Sequence, residues 1–259
     1  MESRHLVLSD LHENSDALER FIEIAQKKYG GFDTIWFLGD IFGHSMDSVG
    51  QSDLRQRFIN IVQKYLNGNA VTICGNWEYW LGHPEMDMEN RNQRRYEFQL
   101  EQRRAILSRK QNKKILERFL PNTILKISDF TLFHGCSYTC HGNSEYKLQP
   151  WECYLFPRDL NIVTRGLFGN RRHLETPHFL FGHTHIPGWF TYSNSTMTNM
   201  WRYFTRDMTG KPISYAAENL RFGINPGSAG VYRFRIPRTA LLLDTDEKTF
   251  TYLVDEEES

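Results

Sequence analysis

Over residues 1–80, short apolar runs that end on aspartate, histidine or glycine alternate with stretches of helical periodicity. His5–Ser9 (HLVLS) stops at Asp10. Asn14 is placed to cap a helix whose Leu18, Phe21, Ile22 and Ala25 share one face, and Gly30-Gly31 ends it. Thr34–Leu38 (TIWFL) reads as a strand and breaks at Gly39-Asp40. A second amphipathic stretch, Asp53–Leu66, leads to Val71–Cys74, which breaks at Gly75-Asn76. The order βαβαβ implies parallel strands joined by right-handed crossovers, with ligands held beyond the carboxyl ends of the strands. The three breaks fall at those ends.

Residues 89–118 are rich in Arg, Lys, Gln, Glu and Leu and free of Gly and Pro, which predicts one long helix or two shorter ones. The texture then turns to strands. Thr123–Ile127, a Ser128-Asp129 turn and Phe130–His134 precede a loop-rich stretch, 135–177, and the apolar run His178–Phe181. Trp189–Tyr192, Met200–Thr205, Phe222–Asn225, Ala240–Leu243 and Phe250–Val254 read as antiparallel strands. No Pro/Gly/Ser linker divides the chain, so residues 1–259 are expected to form one domain, with 89–120 a helical cap insertion.

Composition narrows the classes of function. Thirty-one Lys+Arg balance 31 Asp+Glu in the 259 residues, which argues against bulk nucleic-acid binding or membrane-surface attachment. No apolar run approaches the ~20 residues of a membrane span, and the opening MESRHLVLSD turns acidic too soon for a signal peptide. Cys74, Cys136, Cys140 and Cys153 lack both a disulfide framework and paired CxxC spacing, and fit free thiols in a cytoplasmic protein. The neutrality hides a split. Residues 89–118 hold ten Lys/Arg against four Glu, whereas residues 244–259 hold seven acids against Lys248 alone.

Five strand-end breaks carry metal-ligand side chains: Asp10-Leu11-His12, Gly39-Asp40, Gly75-Asn76, His134-Gly135 and Gly182-His183-Thr184-His185. Carboxylates, imidazoles and one amide oxygen suit Mn²⁺, Fe or Zn²⁺, and residues two apart leave a strand end on the same side. This series, in this order, resembles the calcineurin-like metallophosphoesterases, whose motifs run D-x-H, G-D, G-N-H-D/E, a lone H and G-H-x-H. Asn225-Pro226-Gly227-Ser228 is similar to a loop of the bacterial phosphodiesterase branch. The resemblance implies an α/β fold, a four-layer αββα sandwich of two mixed β-sheets flanked by helices. It also implies two divalent metal ions, manganese favoured. Asp10, His12 and His185 would hold the first, Asp40 would bridge, and Asn76, His134 and His183 would complete the second. Asp40, Asn76 and His134 would stand closest to the reaction, in which a hydroxide bridging the ions attacks phosphorus.

The chain departs from the pattern where the family has His after Gly-Asn: here stand Trp77 and then Glu78. In the family that His is credited with protonating the leaving group or stabilising the transition state. Indole is a donor only and carries out no acid–base chemistry. An alkoxide, whose conjugate acid has a pKa of roughly 15 like that of water, needs a proton as it leaves. A phosphate, with a second pKa of roughly 6, does not. Gly-Asn-Trp-Glu also resembles a bacterial set of diadenosine tetraphosphate hydrolases. The expected partner is therefore a small anionic phosphorylated substrate, a nucleoside polyphosphate in particular. A general phosphodiesterase and a non-catalytic scaffold of the same fold are the alternatives. Trp77, His44 and His141 are candidate substrate contacts, with His44 four residues past Asp40 and His141 seven past His134. Arg165, Arg171 and Arg172 suit phosphate contacts, and Tyr146, Trp151 and Tyr154 suit either a base pocket or core packing. The basic 89–118 segment would draw polyphosphate toward the ions, or else present a solvated helix face.

Overall fold

In the computed structural model, the described residues are 3–43, 52–83, 100, 103–135, 154–157, 176–193, 199–230 and 235–256. His44, His141, Tyr146, Trp151, Arg165, Arg171 and Arg172 lie outside them.

Two six-stranded mixed sheets are flanked by helices, as the motif order implies. The first sheet starts from β1 (Arg4–Leu8), β2 (Thr34–Phe37) and β3 (Val71–Thr72), paired in parallel. Helices α1 (Ser15–Tyr29) and α2 (Ser52–Leu66) make the crossovers. Helix α1 begins and ends as its sequence dictates. The Asn14 side chain accepts from the Ala17 N–H at 3.0 Å, and Gly30 closes the helix at φ 78°. After β3 come α3 (Asn76–Gly82) and α4 (Lys110–Phe119). The second sheet opens with β4 (Ile124–Ile127), β5 (Phe130–Phe133) and β6 (His178–Leu180).

The later strands are β7 (Gly188–Ser193), β8 (Asn199–Tyr203), β9 (Ile213–Ser214), β10 (Leu220–Asn225), β11 (Thr239–Asp244) and β12 (Thr249–Val254). They do not form one antiparallel unit. β9, β11 and β12 extend the first sheet, in the order β3-β2-β1-β11-β12-β9. β7, β8 and β10 extend the second, in the order β4-β5-β6-β10-β7-β8, and β10 lies parallel to β6. Strand β9 has no counterpart in the sequence reading, because two residues carry no periodicity.

The first sheet is buried on both faces, which is why its strands read as continuous apolar runs. Leu6, Leu8, Ile35 and Phe37 point to a layer shared with Leu18, Phe21, Phe58, Ile59 and Phe119 of the helices. Val7, Trp36, Leu38, Leu241 and Leu243 point the other way, onto Phe130, Leu132, Leu180, Trp189 and Ile224 of the second sheet. The alternation follows the two-residue period of a strand. A chain of aromatics, Phe133, Phe179, Phe181, Phe190 and Trp201, packs in the second sheet.

The described part of the basic segment folds against the body. Ile115, Leu116 and Phe119 of α4 join the helical core, while Lys110, Lys113, Lys114 and Arg118 are exposed. Helix α4 packs on α2 and α3, and Arg103 donates to the Leu81 carbonyl near the end of α3. Among the described residues, no helix is long and apolar enough to cross a membrane.

Candidate metal centre

The loops after β1, β2, β3, β5 and β6 converge, and the ligand candidates on them are drawn together by the docking of the two sheets. Asp10, His12 and His185 offer ligand atoms within 4.8 Å of one another, and so do Asp40, His134 and His183. All six are buried. Each group mixes residues from both sheets. Asn76 enters the second group through Oδ1, 3.1 Å from His134 Nε2.

The backbone bends sharply to aim these side chains. Asp10, His12, Asp40, His183 and His185 all adopt positive φ, between 48° and 68°. Left-handed backbone costs a non-glycine residue roughly 1–2 kcal/mol, so the surrounding hydrogen bonds must over-determine it. They do. The Asp10 N–H donates to the Gly39 carbonyl at 3.1 Å and the His12 N–H to the Asp40 carbonyl at 3.0 Å. Asp10 Oδ2 accepts from Ser9 Oγ at 2.6 Å and from the His183 N–H at 3.1 Å. Asp40 Oδ1 accepts from the Trp77 N–H at 2.9 Å. His134 donates through Nδ1 to the Leu38 carbonyl at 2.6 Å, which turns Nε2 inward.

Two further anchors were not expected from the motifs. Glu78, fully buried, clamps the loops after β2 and β3: its Oε2 accepts from the Asp40 and Gly75 N–H groups at 2.8 and 2.9 Å. Its Oε1 accepts from the Phe42 N–H at 3.0 Å. Gly75 is required there, because a Cβ would lie 2.3 Å from the Asp40 nitrogen. On the other side, Asn225 Nδ2 donates to the Gly182 carbonyl at 3.2 Å and to Thr184 Oγ1 at 2.9 Å, and its Oδ1 accepts from the Gly227 N–H at 2.7 Å. The turn that follows strings itself onto the Asp10 loop. Ser228 Oγ donates to the Asp10 carbonyl at 3.0 Å, the Ala229 N–H to the Ser9 carbonyl at 2.9 Å and the Gly230 N–H to the Asp10 carbonyl at 3.1 Å. The acidic side chain after Asn-Trp and the Asn-Pro-Gly-Ser turn are the sequence signals that carried these anchors, but the partners lie tens to hundreds of residues away.

The electrostatics favour cations. Burial alone would raise the Asp10 pKa, but the imidazoles of His185, His134 and His12 outweigh it and hold the carboxyl far below its usual range. Asp40 is likewise held down by His134 against the effect of burial. Burial would lower His134, but the carboxylates of Asp40, 3.3 Å from Nε2, and Asp10, at 3.8 Å, push it up to about 10, and a cation bound between them would take the place of that proton. His183 is driven the other way, to about 3, by burial and by His134, which keeps its ring neutral and able to ligate. Two carboxylates, four imidazoles and one amide oxygen therefore fit two divalent ions of borderline hardness. Burial, with repulsion from Asp40, raises Glu78 to about 7.

Of the expected substrate contacts, Trp77 is described and half-buried. Its ring lies edge-on to His12 at 6.5 Å and to Trp80 at 5.7 Å, and a Cβ on Gly43 would come within 2.9 Å of it. Tyr154 stacks on His183, with ring centroids 3.8 Å apart.

A family model described as calcineurin-like phosphoesterase matches residues 3–206. Among solved structures, a metallophosphoesterase from Sphaerobacter thermophilus is similar at TM-score 0.65 and 19% identity, covering 98% of this chain and 88% of that one. The phosphoesterase Yfce from E. coli aligns at TM-score 0.45 and 13% identity, over 97% of this chain and 98% of that one. No curated protein matches the sequence.

Proposed function

The chain belongs to the calcineurin-like phosphoesterase family, metal-dependent phosphoesterases, and from that premise we propose that it hydrolyses nucleoside polyphosphates of the diadenosine tetraphosphate type. The observation that carries this reading is the side chain standing where the leaving group would look for a proton. Trp77 lies beside His12 and offers no acid. Glu78, the next residue, cannot substitute: it is fully buried and both carboxylate oxygens are held by backbone N–H groups. A phosphate leaving group needs no such proton.

The residues divide the work. Asp10, His12 and His185 would hold one ion, His134, His183 and Asn76 the other, and Asp40 would serve both. When bound, two divalent ions supply Lewis acidity and ionise water near neutral pH. Of the candidates, manganese is favoured over iron and zinc. The left-handed backbone of the ligands fixes their directions before substrate arrives, and the buried, water-excluded setting of Asp10 and Asp40 strengthens their hold on positive charge. His134 Nε2 and Asn76 Oδ1, 3.1 Å apart, would hold the second ion from adjacent positions. The half-buried indole of Trp77, beside His12, would give the centre an apolar wall. The cysteine usage and the balanced charge fit a cytoplasmic enzyme with a small anionic substrate, not a nucleic acid or a membrane.

A panel of Mn²⁺-supplemented reactions tests the reading. Dinucleoside polyphosphates should be turned over faster than cyclic nucleotides, aryl diesters and phosphopeptides. Faster hydrolysis of unactivated alkyl monoesters such as sugar phosphates would overturn it.

A further inference from the structure

The two oxygens of Asp10 stand in different surroundings. Oδ2 accepts from Ser9 Oγ at 2.6 Å and from the His183 N–H at 3.1 Å. A carboxylate oxygen has about two lone-pair sites, so this pair of donors occupies the atom. Oδ1 instead faces ring nitrogens, His185 Nε2 at 3.2 Å and His134 Nε2 at 3.8 Å, one from each ligand group. The Ser9 hydroxyl is built into its place. Ser9 is buried, and its carbonyl accepts from the Ala229 N–H at 2.9 Å. Opposite stands Gly182, where a Cβ would lie 1.9 Å from Ser9 Oγ and 3.0 Å from Asp10 Oδ2. A side chain at 182 would push the hydroxyl off the carboxylate. Asp40 is restrained by main chain instead, through the Trp77 N–H on its Oδ1.

We propose that Ser9 is a positioning residue that sets metal selectivity: its hydroxyl confines Asp10 to one ligand oxygen, Oδ1, and so disfavours Ca²⁺ against Mn²⁺ in the group of Asp10, His12 and His185. The inference rests on the reading of the site as a two-ion centre and deepens it by naming a residue that governs the choice of ion. Ca²⁺ gathers roughly six to eight oxygen ligands and readily takes a carboxylate through both oxygens. The two imidazoles of this group suit a transition-metal ion, which needs one oxygen from Asp10. With Oδ2 tied to Ser9 and His183, Asp10 has a single oxygen to give. Freed of the hydroxyl, the same carboxylate can turn and chelate, and the group gains an oxygen that serves the larger ion. Ser9 thus acts through Asp10, without touching an ion or the substrate.

The alternative is that the hydroxyl does no more than stiffen the loop after β1. Ser228 supplies the control, because its Oγ donates to the Asp10 carbonyl at 3.0 Å and not to the carboxylate. Calorimetric titration of the full-length protein with Mn²⁺, and with Ca²⁺ in competition against it, separates the two roles. Ser9→Ala leaves the His183 N–H on Oδ2. In that variant the ratio of Mn²⁺ to Ca²⁺ affinity at one site should fall about tenfold, the lower end of what losing a ligand's supporting partner brings. Ser9→Cys, a weak donor of similar shape, should lie between alanine and the wild type. Ser228→Ala should leave the ratio as it is. A ratio unmoved in Ser9→Ala, or lowered equally in Ser228→Ala, would overturn the proposal. Should the alanine variant fail to fold, the cysteine variant decides by the same ratio. A wild type that binds one Mn²⁺, with the Ser9→Ala shift intact, would refute the two-ion reading and leave the role of Ser9 standing.

Discussion

The two edges of the centre are fixed by different chemistry. At one edge the loops after β2 and β3, which carry Asp40 and Asn76, are tied by a single buried carboxylate, Glu78, accepting three backbone N–H groups. At the other, the loops after β1 and β6, which carry Asp10, His183 and His185, are tied by a neutral amide, Asn225, and by the backbone of the turn beyond it. The first tie is local, spanning 38 residues between Asp40 and Glu78; the second reaches 218 residues from Asp10 to Ser228. A charged clamp concentrates its energy in one side chain and fails when that side chain is changed. A clamp made mostly of main chain spreads the same task over many bonds and resists single substitutions. Hydrogen bonds to a buried charge are the stronger, at about 1.5–3 kcal/mol each against about 1 for neutral pairs.

The sharpest way to break the comparison is to remove a residue both edges depend on. Asp40→Ala should lower metal-dependent turnover at least about a thousandfold, since the charge stabilisation supplied by a metal pair is worth several kcal/mol. Undiminished turnover would refute the two-ion arrangement. Next comes Glu78→Ala, which strands three buried N–H groups and should destabilise the fold by about 3 kcal/mol or more. It should weaken the Mn²⁺ site completed by Asn76 about 10–100-fold, the usual effect of losing a ligand's supporting partner, and the other site less, since Asp40 alone is shared with it. Calorimetric titration that found both sites equally weakened would show that the edges are not independent.

Asn225→Ala should act more mildly, near the tenfold end of that range, and on both sites together, because His183 and His185 share the Gly182–His185 loop that Asn225 holds. Selective loss of one site would contradict the assignment. Smallest of all is the effect of charge away from either edge. Neutralising Arg104, Lys113 and Lys114, all exposed, should raise KM for a polyphosphate a few-fold at low salt and hardly at all at high salt. An effect insensitive to salt would remove the proposal that the basic segment attracts substrate.

What the sequence made legible follows the range of the interaction involved. Asp10, Asp40, Asn76 and the Gly182–His185 motif stand out because a strand-end break is a local event, marked by the residue type that causes it. The helix bounded by Asn14 and Gly30 is local in the same way, and it forms where its caps place it. The division of the late strands between two sheets is not local. The run around Leu241 and the run around Ile224 look alike in pattern, and only their partners, β1 and β6 respectively, separate them. Glu78 was visible as an acid after Gly-Asn-Trp, but its role as a clamp depends on N–H groups 36 and 38 residues upstream. Tyr154 on His183 had no sequence signature beyond being aromatic.

That each ligand group borrows from both sheets also has a consequence for the order in which the protein becomes itself. Asp10, His12, Asp40 and Asn76 leave the ribosome early, and His183 some 140 residues after Asp40. At roughly 5–20 residues per second, that is a delay of about seven to thirty seconds. During it neither group is complete, the first lacking His185 and the second His183. Both groups are therefore assembled only when the second sheet closes on the first.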